Sequence, residues 1–268
     1  MAILIVGATR GLGAALAKQY AEKGKLVYAT TRDTKPPQEF PDGVQWITGI
    51  DLMDERVGGK LASELQLEAE FEKNKIETLV CIITAGYFGK EEPGSKDNPP
   101  DWQKEQRMYT TSAIAPVFIV NELVSANAFA TGTPVPRIVL VSSESGSIGL
   151  RHPTEGGGNY GHHASKAALN MVGKLLSMDL EPKGIIVSIV HPGFMRTEMT
   201  KGVGFDQFWD SGGAVTPDEA AKSLLQWTEQ LGAEHSGQFW APRGSRDIGT
   251  APHVLGDNIP EGPLQLPW

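Results

Sequence analysis

The chain has 268 residues, of which 40% are hydrophobic and 21% charged, and its formal net charge is −8. This composition is typical of a globular protein and excludes a disordered or collagen-like chain. The negative charge and the lack of a Lys/Arg run argue against a nucleic-acid partner bound through phosphate contacts.

Cys81 is the single cysteine of the chain. One cysteine excludes an intrachain disulfide and a metal site of several cysteines, so we expect no metal and a reducing, cytoplasmic compartment. Met1 runs directly into an apolar strand pattern, which is unlike a secretory signal. No apolar run approaches the roughly 20 residues that cross a bilayer, so no membrane association is predicted.

Short apolar runs alternate with helical patterns along nearly the whole chain. Strands are predicted at residues 2–6, 26–31, 44–47, 79–83, 138–141, 185–190 and 237–240. Helices are predicted at residues 11–23, 55–73, 102–130, 165–180 and 217–231. Pro116 is expected to kink the long central helix. Loops are predicted at residues 90–100 and 149–159 and in the Gly- and Pro-rich tail 242–268.

The alternation of strand and helix defines the predicted fold. It indicates a single α/β domain over residues 1–268, with a doubly wound, Rossmann-type parallel sheet of about seven strands and helices on both faces. Ligands of such sheets bind beyond the carboxyl ends of the strands. Residues at those ends are therefore the first candidates for a functional site.

A glycine-rich turn, Gly-Ala-Thr-Arg-Gly-Leu-Gly at residues 7–13, directly follows the first strand and opens the first helix. Glycines at this place permit a tight turn and let backbone N–H groups approach a diphosphate. Spaced glycines alone are more often an ordinary turn, but the order of strand, turn and helix favours a dinucleotide site.

The end of the second strand indicates which dinucleotide is bound. An NAD site usually has an acidic residue there for the ribose 2′-hydroxyl, whereas this chain has Thr30, Thr31 and Arg32. A guanidinium at Arg32, with help from Arg10, favours a 2′-phosphate through charge-assisted contacts. NADP(H) is therefore the predicted cofactor; otherwise Arg32 is an ordinary solvated charge.

Six motifs follow one another in the order and spacing of a known family. They are the glycine turn, Asp51-Leu52, Thr84-Ala85-Gly86, Ser142-Ser143, Ser165-Lys166 and residues 192–197. Over residues 1 to about 200, the chain resembles the short-chain dehydrogenase/reductase family. The segment Gly237-Gln238-Phe239-Trp240 and the closing Leu266-Pro267-Trp268 resemble the small carbonyl reductases related to sniffer and to the bacterial C-factor protein.

The resemblance implies an oxidoreductase and extends the cofactor site. Asp51 and Leu52 would flank the adenine, Ala85 and Gly86 would line the cofactor groove, and Thr197 would reach the nicotinamide amide or the phosphates. Together with the glycine turn, the predicted cofactor-binding residues are Gly7, Thr9, Arg10, Gly11, Leu12, Gly13, Thr31, Arg32, Asp51, Leu52, Ala85, Gly86, Lys166, Pro192, Gly193 and Thr197.

The same resemblance implies a catalytic relay with two changed positions. In this family a tyrosine exchanges the carbonyl proton, a lysine four residues later holds the ribose, a serine orients the oxygen and an asparagine completes the relay. Ser143 and Lys166 match the serine and the lysine. His162 stands at the tyrosine position and Ser112 at the asparagine position.

Three interpretations of the missing tyrosine remain open. His162 can donate an N–H bond to the developing alkoxide, although cationic Lys166 should lower its pKa and leave it neutral. Tyr160 can take the role if the glycines at 156–158 let its segment reposition. Alternatively, neither side chain transfers a proton.

Substrate contacts are expected from Tyr87, Phe88, the loop at residues 149–159 and a covering segment at about residues 194–215. That segment contains Phe205, Phe208 and Trp209, a spacing more typical of the buried face of a short helix than of a ligand-binding surface. If these aromatic residues instead form a lid, they indicate a fairly apolar substrate.

Two classes of function follow from these patterns. The first is an NADP(H)-dependent oxidoreductase acting on a carbonyl, alcohol or imine of a small apolar metabolite. The alternative is a non-redox isomerase, dehydratase or cyclase, or a binding protein, on the same fold, and the two changed relay positions favour it. The resemblance also implies a homodimer or homotetramer formed through the central helix and the helix containing Ser165.

Overall fold

A computed structural model describes residues 1–38, 40, 42–67, 78–129, 134–256 and 259–268. Its eight strands form one sheet in the order β3-β2-β1-β4-β5-β6-β7-β8. The strands are β1 (Ala2–Val6), β2 (Leu26–Thr30), β3 (Val44–Ile47), β4 (Leu79–Ile83), β5 (Arg137–Val141), β6 (Ile186–Val190), β7 (Phe239–Ala241) and β8 (Leu264–Gln265). The first seven are parallel, and β8 pairs with β7 antiparallel.

The central strands are apolar on both faces because both faces are covered. Every residue of β1 and of β4 is buried, and Ile3 pairs in register with Val27 on one side and Val80 on the other. Strands buried on both faces form parallel sheets sandwiched between helices. The doubly wound α/β fold predicted from the sequence is thus confirmed, with eight strands rather than about seven.

In the described part of the chain, six longer helices and two short ones surround the sheet. They are α1 (Gly11–Glu22), α2 (Val57–Leu67), α3 (Trp102–Tyr109), α4 (Ala115–Ser125), α5 (Tyr160–Leu180), α6 (Glu198–Gly202), α7 (Pro217–Gln230) and α8 (Ala251–Leu255). Residues of α2, α4 and α5 form one core with one face of the sheet, while α1 and α7 form a second core with the other. No helix in the described ranges has the length and apolar character needed to cross a membrane.

The long central helix is interrupted before the predicted position. A π-helical turn, Thr110–Ile114, separates α3 from α4, and Pro116 is the second residue of α4. Proline has no N–H and its ring crowds the carbonyl four residues earlier, here that of Ser112. The wider π turn accommodates this conflict and places Ser112 in an irregular segment, as π turns at functional sites often do.

The carboxyl-terminal tail is more ordered than the sequence indicated. It contains α8 and β8, and its residues Ile248, Ala251 and Leu266 form a third apolar cluster with Leu150 and Phe239. The prediction of an unbroken loop was therefore wrong.

Parts of two predicted helices, residues 68–73 and residue 130, lie outside the described residues. The single domain over residues 1–268 stays a prediction.

Candidate active site

A cavity of about 1330 Å³ opens where the parallel strands end. It receives residues that follow β1, β2, β4, β5 and β6, among them Gly7, Arg32, Gly86, Ser143 and Pro192. The chain builds β1 to β3 toward one edge of the sheet and β4 to β7 toward the other, so the strand order reverses between β1 and β4. Ligands of doubly wound sheets bind at that reversal.

The glycine turn packs tightly against the end of β4. Gly7 has φ of +91°, and a Cβ on it would lie 2.8 Å from the Cα of Ala85. A Cβ on Gly13 would lie 2.1 Å from the carbonyl oxygen of Gly7. Only glycine fits at these two places, so the sequence pattern has a direct steric cause.

The amino terminus of α1 is suited to bind an anion. Arg10 precedes the helix without a side-chain cap, and the first turn contains no acidic residue. The free N–H groups of such a terminus, together with the helix dipole, attract phosphate. Thr9, Arg10, Gly11, Leu12 and Gly13 all line the cavity.

The loop after β2 carries the predicted determinant of cofactor choice. Arg32 is exposed and lines the cavity, and Thr31 accepts a hydrogen bond of 3.1 Å from the Asp33 amide. Asp33 also lines the cavity. A carboxylate thus stands next to Arg32, one residue beyond the Thr30, Thr31 and Arg32 from which NADP(H) is predicted.

The remaining predicted cofactor residues line the same cavity. They are Asp51, Leu52, Ala85, Gly86, Pro192, Gly193 and Thr197. Asp51 accepts a hydrogen bond of 3.0 Å from the Met53 amide, which orients its side chain. Thr197 caps α6 by accepting a hydrogen bond of 3.3 Å from the Thr200 amide.

Ser143 and Lys166 are brought together at the end of β5. Ser143 Oγ accepts a hydrogen bond of 3.2 Å from the Ser145 amide. The Lys166 ammonium donates a bond of 2.8 Å to the carbonyl of Val141. Burial lowers the pKa of Lys166 to about 8. A buried amine of this kind is held by its one backbone contact and can donate further bonds to a ligand.

His162 lines the cavity and stacks on Phe88, with ring centroids 4.0 Å apart and planes inclined by 18°. Burial, and after it the charge of Lys166, lowers the pKa of His162 well below its usual value. The neutral imidazole expected from the sequence is therefore found, but burial contributes more than the lysine. Its buried Nδ1 has no hydrogen-bond partner among the described residues.

Tyr160 does not join this group. It is the first residue of α5, its side chain is exposed, and it is not part of the cavity wall. The expectation that Tyr160 lies on the same side as His162 assumed an extended segment, whereas a helix turns side chains two positions apart by about 200°. The structure thus places Tyr160 away from the predicted site.

Ser112 lies behind the cavity wall rather than in it. Its hydroxyl is buried and has no hydrogen-bond partner in the described part of the chain. A Cβ on Gly86 would lie 3.9 Å from Ser112 Oγ and 3.7 Å from Lys166 Nζ. Both polar groups therefore face the same glycine.

A buried polar cluster behind the Pro192-Gly193 turn was missed by the sequence analysis. Asp247 accepts a short hydrogen bond from the Phe194 amide, and its carboxylate lies 3.8 Å from both His191 Nε2 and Arg243 Nε. Burial alone would raise the pKa of Asp247, but His191, the Phe194 amide and Arg243 together lower it. Asp247 comes from the tail that was predicted to be a loop, and no motif marks it.

The aromatic residues of the covering segment reach the cavity. Phe205 and Phe208 flank a short 3₁₀ turn, and Phe205 contacts Phe88 edge-on at a centroid distance of 5.6 Å. Both Phe205 and Phe208 line the cavity, so the preference for a buried helix face was wrong for them. Trp209 instead donates a hydrogen bond to Thr200.

The fold and the cavity define a doubly wound α/β protein with its site at the point where the strand order reverses. A family model described as short chain dehydrogenase matches residues 1–207. The chain belongs to the short-chain dehydrogenase family and is, by class, an oxidoreductase.

Individual relatives agree with this assignment. A 1-hydroxy-2-glutathionyl-2-methyl-3-butene dehydrogenase from Rhodococcus sp. is 28% identical over 238 residues, which is 88% of this chain and 94% of the relative. The carbonyl reductase Sniffer of Drosophila melanogaster has a TM-score of 0.72 at 24% identity and covers 90% of this chain and 96% of its own. An NADPH-bound carbonyl reductase from chicken fatty liver has a TM-score of 0.73 at 24% identity and covers 90% of this chain and 91% of its own.

Proposed function

We propose that this chain is an NADP(H)-dependent oxidoreductase that acts on a carbonyl, alcohol or imine of a small metabolite with an apolar body. One observation carries the proposal. The glycine turn, Arg32 and the group of Ser143, His162 and Lys166 all line the same cavity. A cofactor diphosphate at the turn and a reacting carbonyl near Ser143 can therefore occupy one continuous space.

The residues of the cavity fit a phosphorylated dinucleotide. The uncapped amino terminus of α1 leaves N–H groups free to bind a diphosphate, and Arg32 offers a cation for a 2′-phosphate. The cavity of about 1330 Å³ exceeds the 300–1,000 Å³ usual for one small ligand, so cofactor and substrate fit together. The NADPH-bound carbonyl reductase with the same fold supports this cofactor.

The chain's own residues would stabilise and orient the reacting oxygen. When bound, the nicotinamide supplies or receives the hydride. Ser143 donates a hydrogen bond to the substrate oxygen, and the neutral imidazole of His162 donates a second one as negative charge develops. A positioned proton donor contributes roughly 10²–10⁴-fold in rate. The nitrogen of an imine substrate can already carry the proton as an iminium, so such a substrate depends less on His162.

The walls of the cavity suit an apolar substrate body. Phe88, Phe205 and Phe208 present aromatic surface beside His162. The Rhodococcus relative is named as a dehydrogenase of a 1-hydroxy compound, which supports interconversion of an alcohol and a carbonyl here.

The assembly and location expected from the sequence are also proposals. Apolar side chains are exposed on α4 and α5, which supports a homodimer or homotetramer formed through these helices. The single cysteine, Cys81, is free and buried, in keeping with a cytoplasmic protein.

The second candidate is non-redox chemistry or ligand binding in the same cavity. His162 and Ser112 at the two changed relay positions favour it, because a neutral imidazole is a weak proton source. This candidate predicts substrate conversion, or binding, without oxidation or reduction of the nicotinamide.

One experiment separates the two candidates and tests the cofactor. The purified chain is titrated with NADPH and NADH by calorimetry and then incubated with NADPH and a panel of carbonyl compounds, while absorbance of the reduced nicotinamide is followed. We expect NADPH to bind and to be consumed, and Arg32→Ala to weaken NADPH at least tenfold more than NADH because the 2′-phosphate loses its cation. Absence of binding by either cofactor overturns the proposal, and equal weakening of both rejects the role of Arg32.

A further inference from the structure

Arg107 lines the cavity that also contains the proposed reaction site. Arg107 belongs to α3, and its Cζ lies 4.3 Å from the centroid of the Tyr87 ring. Tyr87 precedes Phe88, the residue that stacks on His162. Stacking on an aromatic face fixes the plane of a guanidinium and leaves its N–H groups free to donate.

Among the described residues, Arg107 has no charged partner. Several other charged side chains that line the cavity do have partners. These pairs are Lys90 with Glu92 at 2.8 Å, Glu155 with Arg151 at 2.8 Å, Glu144 with Arg151, Glu91 with the Gly161 amide at 2.8 Å, and Arg196 with Asp210 at 2.7 Å. Within the described ranges no carboxylate lies within ion-pair distance of Arg107, and its side chain makes no hydrogen bond.

A cation that is fixed in place, faces a cavity and lacks a partner is suited to an anionic ligand. A planar guanidinium binds a carboxylate through two parallel hydrogen bonds, and such bonds strengthen where aromatic walls exclude water. Phe88, which stacks on His162, directly follows Tyr87, on which Arg107 stacks, so apolar substrate atoms can bridge the two polar contacts.

We propose that Arg107 binds a carboxylate of the substrate, so that the preferred substrates are carbonyl compounds or alcohols with an apolar body and one carboxylate group. This inference rests on the proposed function and narrows it to a substrate class. Arg107 then decides specificity, while Ser143 and His162 contact the reacting oxygen.

The test compares two aldehydes that differ in one charge, 4-formylbenzoate and its methyl ester. For each, kcat/KM is measured by oxidation of NADPH. We expect the unaltered enzyme to favour the carboxylate at least tenfold, and Arg107→Gln to lower that ratio at least tenfold, mainly through KM for the carboxylate. Arg107→Lys should retain part of the preference, since it keeps the charge without the stacked planar group.

Two matched variants separate local contact from general charge effects. Lys104→Gln removes one positive charge from the same helix at a residue outside the cavity wall, and the ratio should stay as in the unaltered enzyme. Tyr87→Leu removes the aromatic platform and keeps the charge, and the ratio should fall. A ratio near one in the unaltered enzyme, or a ratio that survives Arg107→Gln, overturns the inference.

Failure of the proposed function has a different signature. In that case neither aldehyde oxidises NADPH with the unaltered enzyme. Calorimetric binding of 4-formylbenzoate then tests Arg107 independently of turnover. Binding that is lost in Arg107→Gln, with the circular dichroism spectrum retained, supports the carboxylate site, whereas no binding to the unaltered protein overturns it.

Discussion

At His162, burial and a neighbouring cation act on the imidazole in the same direction. Both favour the neutral form, because burial removes the solvation of the charge and Lys166 repels it. Stacking on Phe88 encloses the ring further. The side chain of His162 is therefore a neutral hydrogen-bond donor at pH 7, and under the proposed function it would polarise the substrate oxygen.

The neutral state of His162 makes the stability of the folded chain depend on pH. The pKa of His162 is lower in the folded chain than the value of about 6.5 in an unfolded chain. Below that pH the unfolded chain takes up the proton and the folded chain does not, so stability falls as pH drops from about 6.5 toward the folded pKa. Above that window the group has no such effect.

His162→Phe should remove this part of the acid sensitivity. We expect the free energy of unfolding of the unaltered protein to fall more steeply below pH 6.5 than that of the variant, by up to about 1.4 kcal/mol per pH unit. Urea unfolding at several pH values between 7.5 and 5.5 measures the difference. His253→Phe removes an exposed histidine and serves as the control. Parallel curves for His162→Phe and the unaltered protein would contradict the expected neutral, buried imidazole.

Single residues also show where sequence information was sufficient and where it was not. Gly7 and Gly13 were identified from their spacing between a predicted strand and a predicted helix, because a steric rule forces glycine wherever backbones meet so closely. Asp247 was missed because it reaches the Phe194 amide from 53 positions away in the chain. Tyr160 was misplaced because the helix begins at Tyr160, five residues before the predicted start at residue 165, and so decides where its ring points.

At the scale of elements, the tail and the turn after β6 behave as one unit. The amides and side chains of Phe194, His191 and Arg243 converge on the Asp247 carboxylate, which is fully buried. A Cβ on Gly193 would lie 2.7 Å from that carboxylate, so the turn has no room to shift toward it. The tail therefore fixes the conformation of a segment that is predicted to contact the nicotinamide.

Asp247→Asn tests this coupling. The substitution keeps size and one acceptor but removes the charge that His191 and Arg243 share, so the turn loses its anchor. We expect KM for NADPH to rise about tenfold while kcat at saturating NADPH changes less, because charge-assisted hydrogen bonds contribute about 1.5–3 kcal/mol. Steady-state kinetics at fixed carbonyl concentration measures both constants. Asp210→Asn, which alters an exposed carboxylate of the covering segment, is the control.

Two outcomes of the Asp247 experiment would contradict the coupling between the tail and the turn after β6. An unchanged KM for NADPH would show that the turn keeps its conformation without the buried charge. A loss of stability with an unchanged KM would assign Asp247 to folding alone. Thermal unfolding of both variants, with and without NADPH, distinguishes these results from the expected one.

The helices illustrate how far local pattern predicts an element. α7 begins at Pro217 as predicted, because Thr216 and Glu219 form a capping box that the sequence displays. The central helix differs, since the effect of Pro116 is transferred to the preceding turn, Thr110–Ile114. The sequence indicated that Pro116 conflicts with a regular helix. Packing of the neighbouring elements decided in which turn the helix becomes irregular.

At the scale of the whole molecule, the sheet was predictable because burial on both faces leaves a strong signal. Runs such as Ala2–Val6 and Leu79–Ile83 are apolar without alternation, and only a parallel sheet covered by helices buries such strands. β8 has two residues, of which Leu264 is partly buried and Gln265 exposed. So short an antiparallel edge strand has no periodicity from which it could be predicted.

The outer surface of α4 and α5 exposes large apolar side chains to solvent. On α5 these are Met171, Leu175 and Met178, which share one helical face at intervals of four and three residues. The π turn and α4 expose Ile114, Val117 and Phe118. Exposed apolar side chains grouped on helices are typical of an interface, and isologous pairing of such a face gives a dimer.

Disruption of this face should separate the subunits. We expect the unaltered chain to sediment as a dimer or tetramer, and the double variant Met171→Glu, Leu175→Glu to sediment as a monomer, because paired faces would bury like charges without partners. Sedimentation velocity over a range of protein concentrations measures the state. Val254→Glu, at an exposed apolar residue of α8, should leave the assembly intact. If the unaltered chain sediments as a monomer at every concentration, or the double variant keeps its assembly, the helices α4 and α5 are not the interface.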